Sequence, residues 1–299
     1  MVLYLIGLGL GDEDDITVKG LKIVQSADII FLESYTSILG VDKDRLEQVY
    51  QCRTPIRIAD RDLVEQSAEE EMIEPAREKT VALLVVGDPV CATTHSDLML
   101  RARQRKVPVE VVHNASIMGA AAACGLQLYK FGQTISLPFF RYAKEGEDED
   151  VKTWRPTSWY PKIAYNRKGG LHTLCLLDIQ VKEPDYDALL KTGRMQYLPP
   201  RFMTISTAAE QLLQAENEIV QKGAYDGQKT LCVGLARMGQ PTQCIRAGTL
   251  VELQEANFGG PLHSLIICGE LHELELEVLR EYLIEGSTFE VEAENQFTE

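Results

Sequence analysis

The chain opens on a short apolar run, Val2 to Gly7. It leads into glycines at 7, 9 and 11 and then four consecutive acids, Asp12 to Asp15. An apolar run this short, closed by glycine, reads as a buried strand. In the segment that follows, Ile16, Gly20, Ile23, Val24 and Ala27 fall at helical spacing, with Asp15 or Thr17 available to cap the start. Asp28 then leads into IIFLE, a second strand. A strand, a helix and a strand in so short a stretch form the unit from which parallel sheets are wound, so the chain belongs to the α/β class.

The pattern continues. Residues 42 to 79 read as mainly helical and polar, with Glu69, Glu70 and Glu71 exposed. TVALLVVGDP is a strong strand, SDLMLRARQRK the helix after it, VPVEVVHNAS a strand ending in a loop, and IMGAAAACGLQLYKF the next helix. The first domain is expected to close near residue 115, which gives an N-terminal domain 1–115 and a C-terminal domain 116–299. Near 143–153 an acidic insertion holds Glu145, Glu147, Asp148, Glu149 and Asp150 and reads as a surface loop. Beyond it, KIAYNRKGG is a helix with a glycine stop. LHTLCLLDI, TLCVGLARMG, AGTLVEL and HSLIICGE are strands. MTISTAAEQLLQAENEIVQK is a long amphipathic helix and ELELEVLREYLIEG a closing one, with a frayed tail to Glu299.

With 299 residues, 45% hydrophobic and 25% charged, the chain has material for two ordinary domains and a sizeable core. No apolar run approaches the roughly 20 residues that span a bilayer. The opening lacks a basic start and runs into acids, unlike a signal peptide. The expected location is cytoplasmic, with no membrane partner. The seven cysteines are odd in number, include no CxxC pair and sit mostly in apolar segments. That favours reduced, buried thiols and no metal site. A net charge of −15 repels phosphate backbones over a broad face and argues against a nucleic-acid partner; its plain reading is solubility.

The glycine turn invites a dinucleotide-binding reading. That fingerprint wants G-x-G-x-x-G, with helix amides facing a pyrophosphate. Here the spacing is G-x-G-x-G, one residue short, and acids stand where phosphates would sit. A tight strand-to-helix turn explains the glycines equally. Leu10, Asp88 and the Asn114–Ile117 segment each follow a strand. Ligands bind outside the carboxyl ends of parallel strands, so these loops are expected to converge. They carry small residues, backbone donors and one carboxylate, which suits a nucleoside with an ammonium group better than a phosphate ligand.

VLYLIGLGLGDEDDITVKGLKIVQSADIIFLESYTS resembles the start of the tetrapyrrole methylase family, whose members bind S-adenosylmethionine between two α/β domains. VVGDPVCATTHSDL, VVHNASIMGA, GLQLYKFGQTISLPF, HTLCLLDI, PPRFM, TLCVGLARMG and GPLHSLII look like its diphthine synthase branch. The resemblance covers roughly residues 1 to 272 and implies two α/β domains of the tetrapyrrole methylase type, with the cofactor site in the cleft between them. It also implies cofactor contacts from Leu10, Asp88, Cys91, Ser116, Ile117, Leu177, Met238 and His263. Each residue has a plainer reading. Asp88 before Pro89 makes a turn, Ser116 caps a helix, Leu177 and Met238 are core, His263 is a hydrogen-bonded core histidine and Cys91 an inert thiol.

The resemblance further implies a methyltransferase acting on a histidine of translation elongation factor 2 that carries a 3-amino-3-carboxypropyl group, and a homodimer. WRP at 154–156 and NRKGGLHTLCLLDI resemble the eukaryotic form, in which a fourth methyl esterifies the carboxylate. The alternatives are a methylase of the same fold acting on a tetrapyrrole or RNA, and an inactive S-adenosylmethionine-binding module. No catalytic side chain is assigned. His95 and Asp97 suggest a pair, but residues two apart on a helix do not face each other, and a helix start capped by Thr94 or Ser96 explains them. Arg141 and Arg155 flank the insertion and are candidates to hold a substrate carboxylate, or plain surface arginines.

Overall fold

The computed structural model describes residues 1–35, 41–142, 153–183, 192–219 and 223–289. The acidic insertion from 143 to 152 and the tail from 290 lie outside the described residues. The chain divides into two compact units. The first is Met1–Ala120 with Ile179–Pro200 and Met238–Pro241; the second is Ala121–Asp178, Arg201–Arg237 and Thr242–Glu299. The division therefore differs from a single boundary at residue 115. The first unit runs on to Ala120 and takes in two later segments, a distribution set by contacts distant in sequence.

The first unit is built on a parallel five-stranded sheet. Its strands are β1 (Val2–Gly7), β2 (Ile29–Glu33), β3 (Ile56–Ala59), β4 (Thr80–Val85) and β5 (Val109–Val112), in the order β3-β2-β4-β1-β5. Side chains alternate across a strand, and both faces here are apolar. Leu3, Leu5, Phe31, Leu83 and Val85 meet Val64, Leu98 and Ala102, from α3 (Arg61–Gln66) and α4 (His95–Gln104), on one face. Ile6, Ile30, Ala82, Leu84 and Val112 meet Val24, Leu46 and Tyr50, from α1 (Val18–Ser26) and α2 (Lys43–Tyr50), on the other. Thr17 caps α1 by accepting from the Gly20 amide at 3.0 Å, which leaves Asp15 free for a different task.

Strand β3 was not expected within the polar stretch 42–79. Its burial runs inside at Ile56 and Ala59 with Arg57 and Ile58 exposed, so it lacks the alternation that marks a strand in sequence. It sits at the sheet edge beside β2, where Arg57 lies over the Phe31 ring. Glu70 and Glu71 are exposed as expected, while Glu69 is half-buried and pairs with Arg101 at 2.9 Å.

The expected helix over IMGAAAACGLQLYKF is broken. Only α5 (Ile117–Ala120) is α-helical, followed by 3-10 turns at Ala121–Cys124 and Leu128–Lys130. Gly125, at φ 97, adopts a backbone that ends a helix and favours glycine.

The second unit carries a mixed sheet of β6 (Ile135–Leu137), β7 (Thr173–Leu177), β8 (Cys232–Ala236), β9 (Cys244–Gly248) and β10 (His263–Ile267). The order is β9-β8-β10-β7-β6, antiparallel except for β6 with β7. Helices α6 (Tyr160–Lys168), α7 (Ile205–Gln214), α8 (Leu250–Glu255) and α9 (Glu273–Arg280) complete it. Ile163, Leu212, Leu253, Cys175 and Leu265 share its core. The segment AGTLVEL is not one strand: Thr249 ends β9 and starts α8 through a reciprocal capping box with Glu252. The long amphipathic helix changes to a π-turn at Ala215–Ile219.

Candidate active site

The glycine turn after β1 is held by its own acids. The Asp15 carboxylate accepts the amides of Leu10 at 3.1 Å and Gly11 at 2.8 Å. Those are the donors a pyrophosphate would need, so this turn is closed to a dinucleotide and the tight-turn reading of the glycines holds. Gly9, at φ 79, pairs with Gly87, at φ 78, through two backbone bonds. A β-carbon on Gly9 would stand 2.6 Å from that of Asp15, so only glycine fits there.

The expected convergence of the loops is visible at Gly7. A β-carbon there would meet the Gly87 oxygen at 2.6 Å, the Asn114 β-carbon at 2.7 Å and the Pro89 δ-carbon at 3.1 Å. The ends of β1, β4 and β5 therefore come together at one point. Asn114 bridges them: its Nδ2 donates to the Gly7 and Asp15 carbonyls, each at 2.9 Å. A later segment joins the group, since a β-carbon on Gly239 would lie 3.0 Å from that of Leu10. Sequence reasoning missed Asp15, Asn114 and Gly239 as organisers. Their position after strands was legible, but their partners lie far along the chain.

Asp88 is nearly fully buried, 4% exposed. Its carboxylate accepts from the Val90 amide at 3.0 Å, the Asn114 amide at 3.1 Å and His113 Nδ1 at 2.8 Å. Burial works against the charged form, but these donors outweigh it and hold the carboxyl below its ordinary range. Asp88 therefore ties the β4 and β5 loops together.

Leu10, Cys91, Ser116 and Ile117 are half-buried around this junction, and Met238 is buried in the same unit. Cys91 donates its amide to the Asp88 carbonyl at 3.2 Å, and the Ser116 carbonyl starts the short helix α5 by accepting from Gly119 and Ala120. A β-carbon on Gly87 would have ordinary contacts alone, with the Ala115 oxygen at 3.8 Å and Leu10 Cδ2 at 3.9 Å. Glycine thus leaves room between Leu10 and Ala115. Leucine carbon and a backbone carbonyl are the neighbours Gly87 meets, surroundings of the kind a nucleoside or a thioether chain accepts.

Leu177 and His263 belong to the second unit. Leu177 ends β7 and is buried. His263 receives the Ile205 amide on Nδ1 at 3.3 Å and donates from Nε2 to the Gly260 carbonyl at 2.9 Å. Nδ1 accepts an N–H and so bears the lone pair of a neutral ring, and burial pushes the pKa down in the same sense. Both nitrogens have partners within the unit.

His95 and Asp97 do not form a pair. His95 is completely buried against the Pro89 carbonyl, whereas Asp97 is exposed and bridges to Arg101 at 2.8 Å. Thr94 occupies the cap position of α4 without a side-chain cap bond. Arg155 pairs with Glu218 at 2.9 Å, and Arg141 exchanges backbone bonds with Trp154 while its guanidinium lies over that ring. Among the described residues no group of histidine, cysteine and acids is arranged to hold a metal, and none of the seven cysteines is in a disulfide.

The family model described as Tetrapyrrole (Corrin/Porphyrin) Methylases matches residues 2–254. A diphthine methyl ester synthase of Dictyostelium discoideum is 49% identical over 286 residues, covering 95% of this chain and 99% of that protein. One of Homo sapiens is 48% identical over 301 residues, covering 98% and 99%. A crystal structure of diphthine synthase, 31% identical, superposes with a TM-score of 0.77 over 95% of this chain and 96% of that one. Glycine turn, strand-end loops and matches of this length agree: the chain belongs to the tetrapyrrole methylase family, and it is a methyltransferase.

Proposed function

We propose that this chain uses S-adenosylmethionine to methylate the 3-amino-3-carboxypropyl-histidine of translation elongation factor 2, as far as the diphthine methyl ester. The observation that carries the cofactor is the meeting of the strand-end loops at Gly7 and Gly87, with Leu10 and the Ala115 carbonyl close by, beside a turn whose amides Asp15 already fills. A ligand with a nucleoside and a sulfonium needs no anion site. The substrate rests on the names of relatives at 48% and 49% identity over almost their whole length.

In this reading Leu10, Ile117, Met238 and Leu177 offer apolar contact, while backbone near Asp88, Cys91 and Ser116 fixes polar atoms. The bound cofactor supplies an activated methyl group. The work of the chain is to orient the acceptor and exclude water. Asp88 serves by joining two loops, because its carboxylate already has three donors. His263, neutral and bonded at both nitrogens, is suited to shape a wall and not to shuttle protons. We assign no general base; the amine can lose its proton to solvent. A cytoplasmic homodimer belongs to the same reading and is checked by sizing and light scattering.

The test is the intact mass of elongation factor 2 carrying the aminocarboxypropyl histidine, after incubation with this protein and S-adenosylmethionine. Four added methyl groups are expected. Three would replace the ester by the trimethylated amine, and none, beside a competent positive control, would overturn the substrate.

A further inference from the structure

His95 stands outside the contacts proposed above, yet it is completely buried. Its Nδ1 lies 2.9 Å from the Pro89 carbonyl oxygen, and its Nε2 is buried without a partner among the described residues. A carbonyl oxygen only accepts, so Nδ1 carries a proton and donates it there. The Pro89 carbonyl also accepts from Thr93 Oγ1 at 2.9 Å. Upstream, the Asp88 carboxylate holds the Val90 amide and the Asp88 carbonyl the Cys91 amide. Within the loop so closed, Ala92 adopts φ 57, a left-handed backbone that disfavours a residue with a β-carbon. Such a conformation persists only where its surroundings over-determine it, and it is found where a chain presents groups to a ligand.

We propose that His95 is a positioning residue. Its Nδ1–H grips the Pro89 carbonyl and thereby sets the Val90–Cys91 backbone beside the methyl-donor seat. This deepens the cofactor reading and rests on it. His95 acts through the loop and does not touch the reacting atoms. Because the grip is one N–H at the Nδ1 position, asparagine, whose amide nitrogen reaches that position, replaces it. Leucine and glutamine do not.

The experiment uses the full chain with His95→Leu and His95→Asn. Affinity for S-adenosylhomocysteine is measured by calorimetry, and hydrogen exchange of the Val90 and Cys91 amides by mass spectrometry. His95→Leu is expected to weaken affinity about tenfold and to speed loop exchange by a similar factor, the scale of one buried hydrogen bond. The KM for S-adenosylmethionine rises more than kcat falls. His95→Asn restores both readouts to within about twofold. If His95→Leu does not fold, His95→Gln replaces it, since its amide reaches the Nε2 position instead. Wild-type affinity and exchange in the leucine or glutamine variant would overturn the proposal, and so would an asparagine variant as impaired as they are. If the wild type binds no S-adenosylhomocysteine while the exchange differences stand, the anchor survives and the cofactor reading falls.

Discussion

Asp88→Asn isolates what the buried carboxylate contributes. In the native chain one oxygen takes the Val90 amide and the other takes His113 Nδ1 and the Asn114 amide. Asparagine keeps one acceptor oxygen and turns the other into a donor. The better orientation leaves the oxygen with Asn114 and His113, so the new NH2 faces the Val90 amide. One charge-assisted bond is lost and a buried donor is left unpaired, at a cost of about 1.5–3 kcal/mol. For a chain of this size that is a fall in Tm on the order of 2–5 °C. The pH dependence follows from the sign of the shift. The folded pKa lies below the unfolded one, so this stabilisation is complete above an unfolded value near 3.9 and is lost as pH falls through the lower folded value. Urea unfolding of both proteins at pH 7, followed by circular dichroism, measures the deficit. A loss under about 0.5 kcal/mol would refute the argument that charge holds these loops together.

Asn114→Ala removes both carbonyl bridges and is expected to cost about 2 kcal/mol in the same assay; Asn114→Asp, which sets an oxygen against the Gly7 and Asp15 carbonyls, should cost more. Thr249→Ala breaks the capping box of α8, for a loss of about 1 kcal/mol in urea, and an unchanged midpoint would show the cap to be idle. His172, bonded to Glu275 and to the Gly269 amide, and His263 are both buried with pKa values pushed down by desolvation. The unfolded chain therefore binds more protons than the native one below about pH 6.5, and stability should rise with pH through that window. A urea midpoint that is flat from pH 5 to 7 would contradict the neutral assignment of both rings.

The opening strand, the capped helix and the second strand were legible because their signals are local. A short apolar run, a period of 3.6 and a glycine stop each need only a few neighbouring residues. The strand-end position of Asp88 and of the Asn114–Ile117 loop was legible for the same reason. The exclusion of a dinucleotide was half-legible: the acids were plain, but that Asp15 binds the turn amides while Thr17 caps the helix appeared only in three dimensions. Strand β3 escaped because an edge strand with two adjacent exposed residues has no alternation to detect.

The sequence by itself determined the class of fold, the family and the identity of the glycine turn, all properties of contiguous residues in order. Only the tertiary structure decided that Asn114 ties Gly7 to Asp15, that Gly239 closes on Leu10, and that His95 turns its back on Asp97 to hold Pro89. Those choices depend on which backbone atoms meet across tens of residues. That is settled by packing and by satisfying buried polar groups, neither of which has a spacing that a linear reading detects.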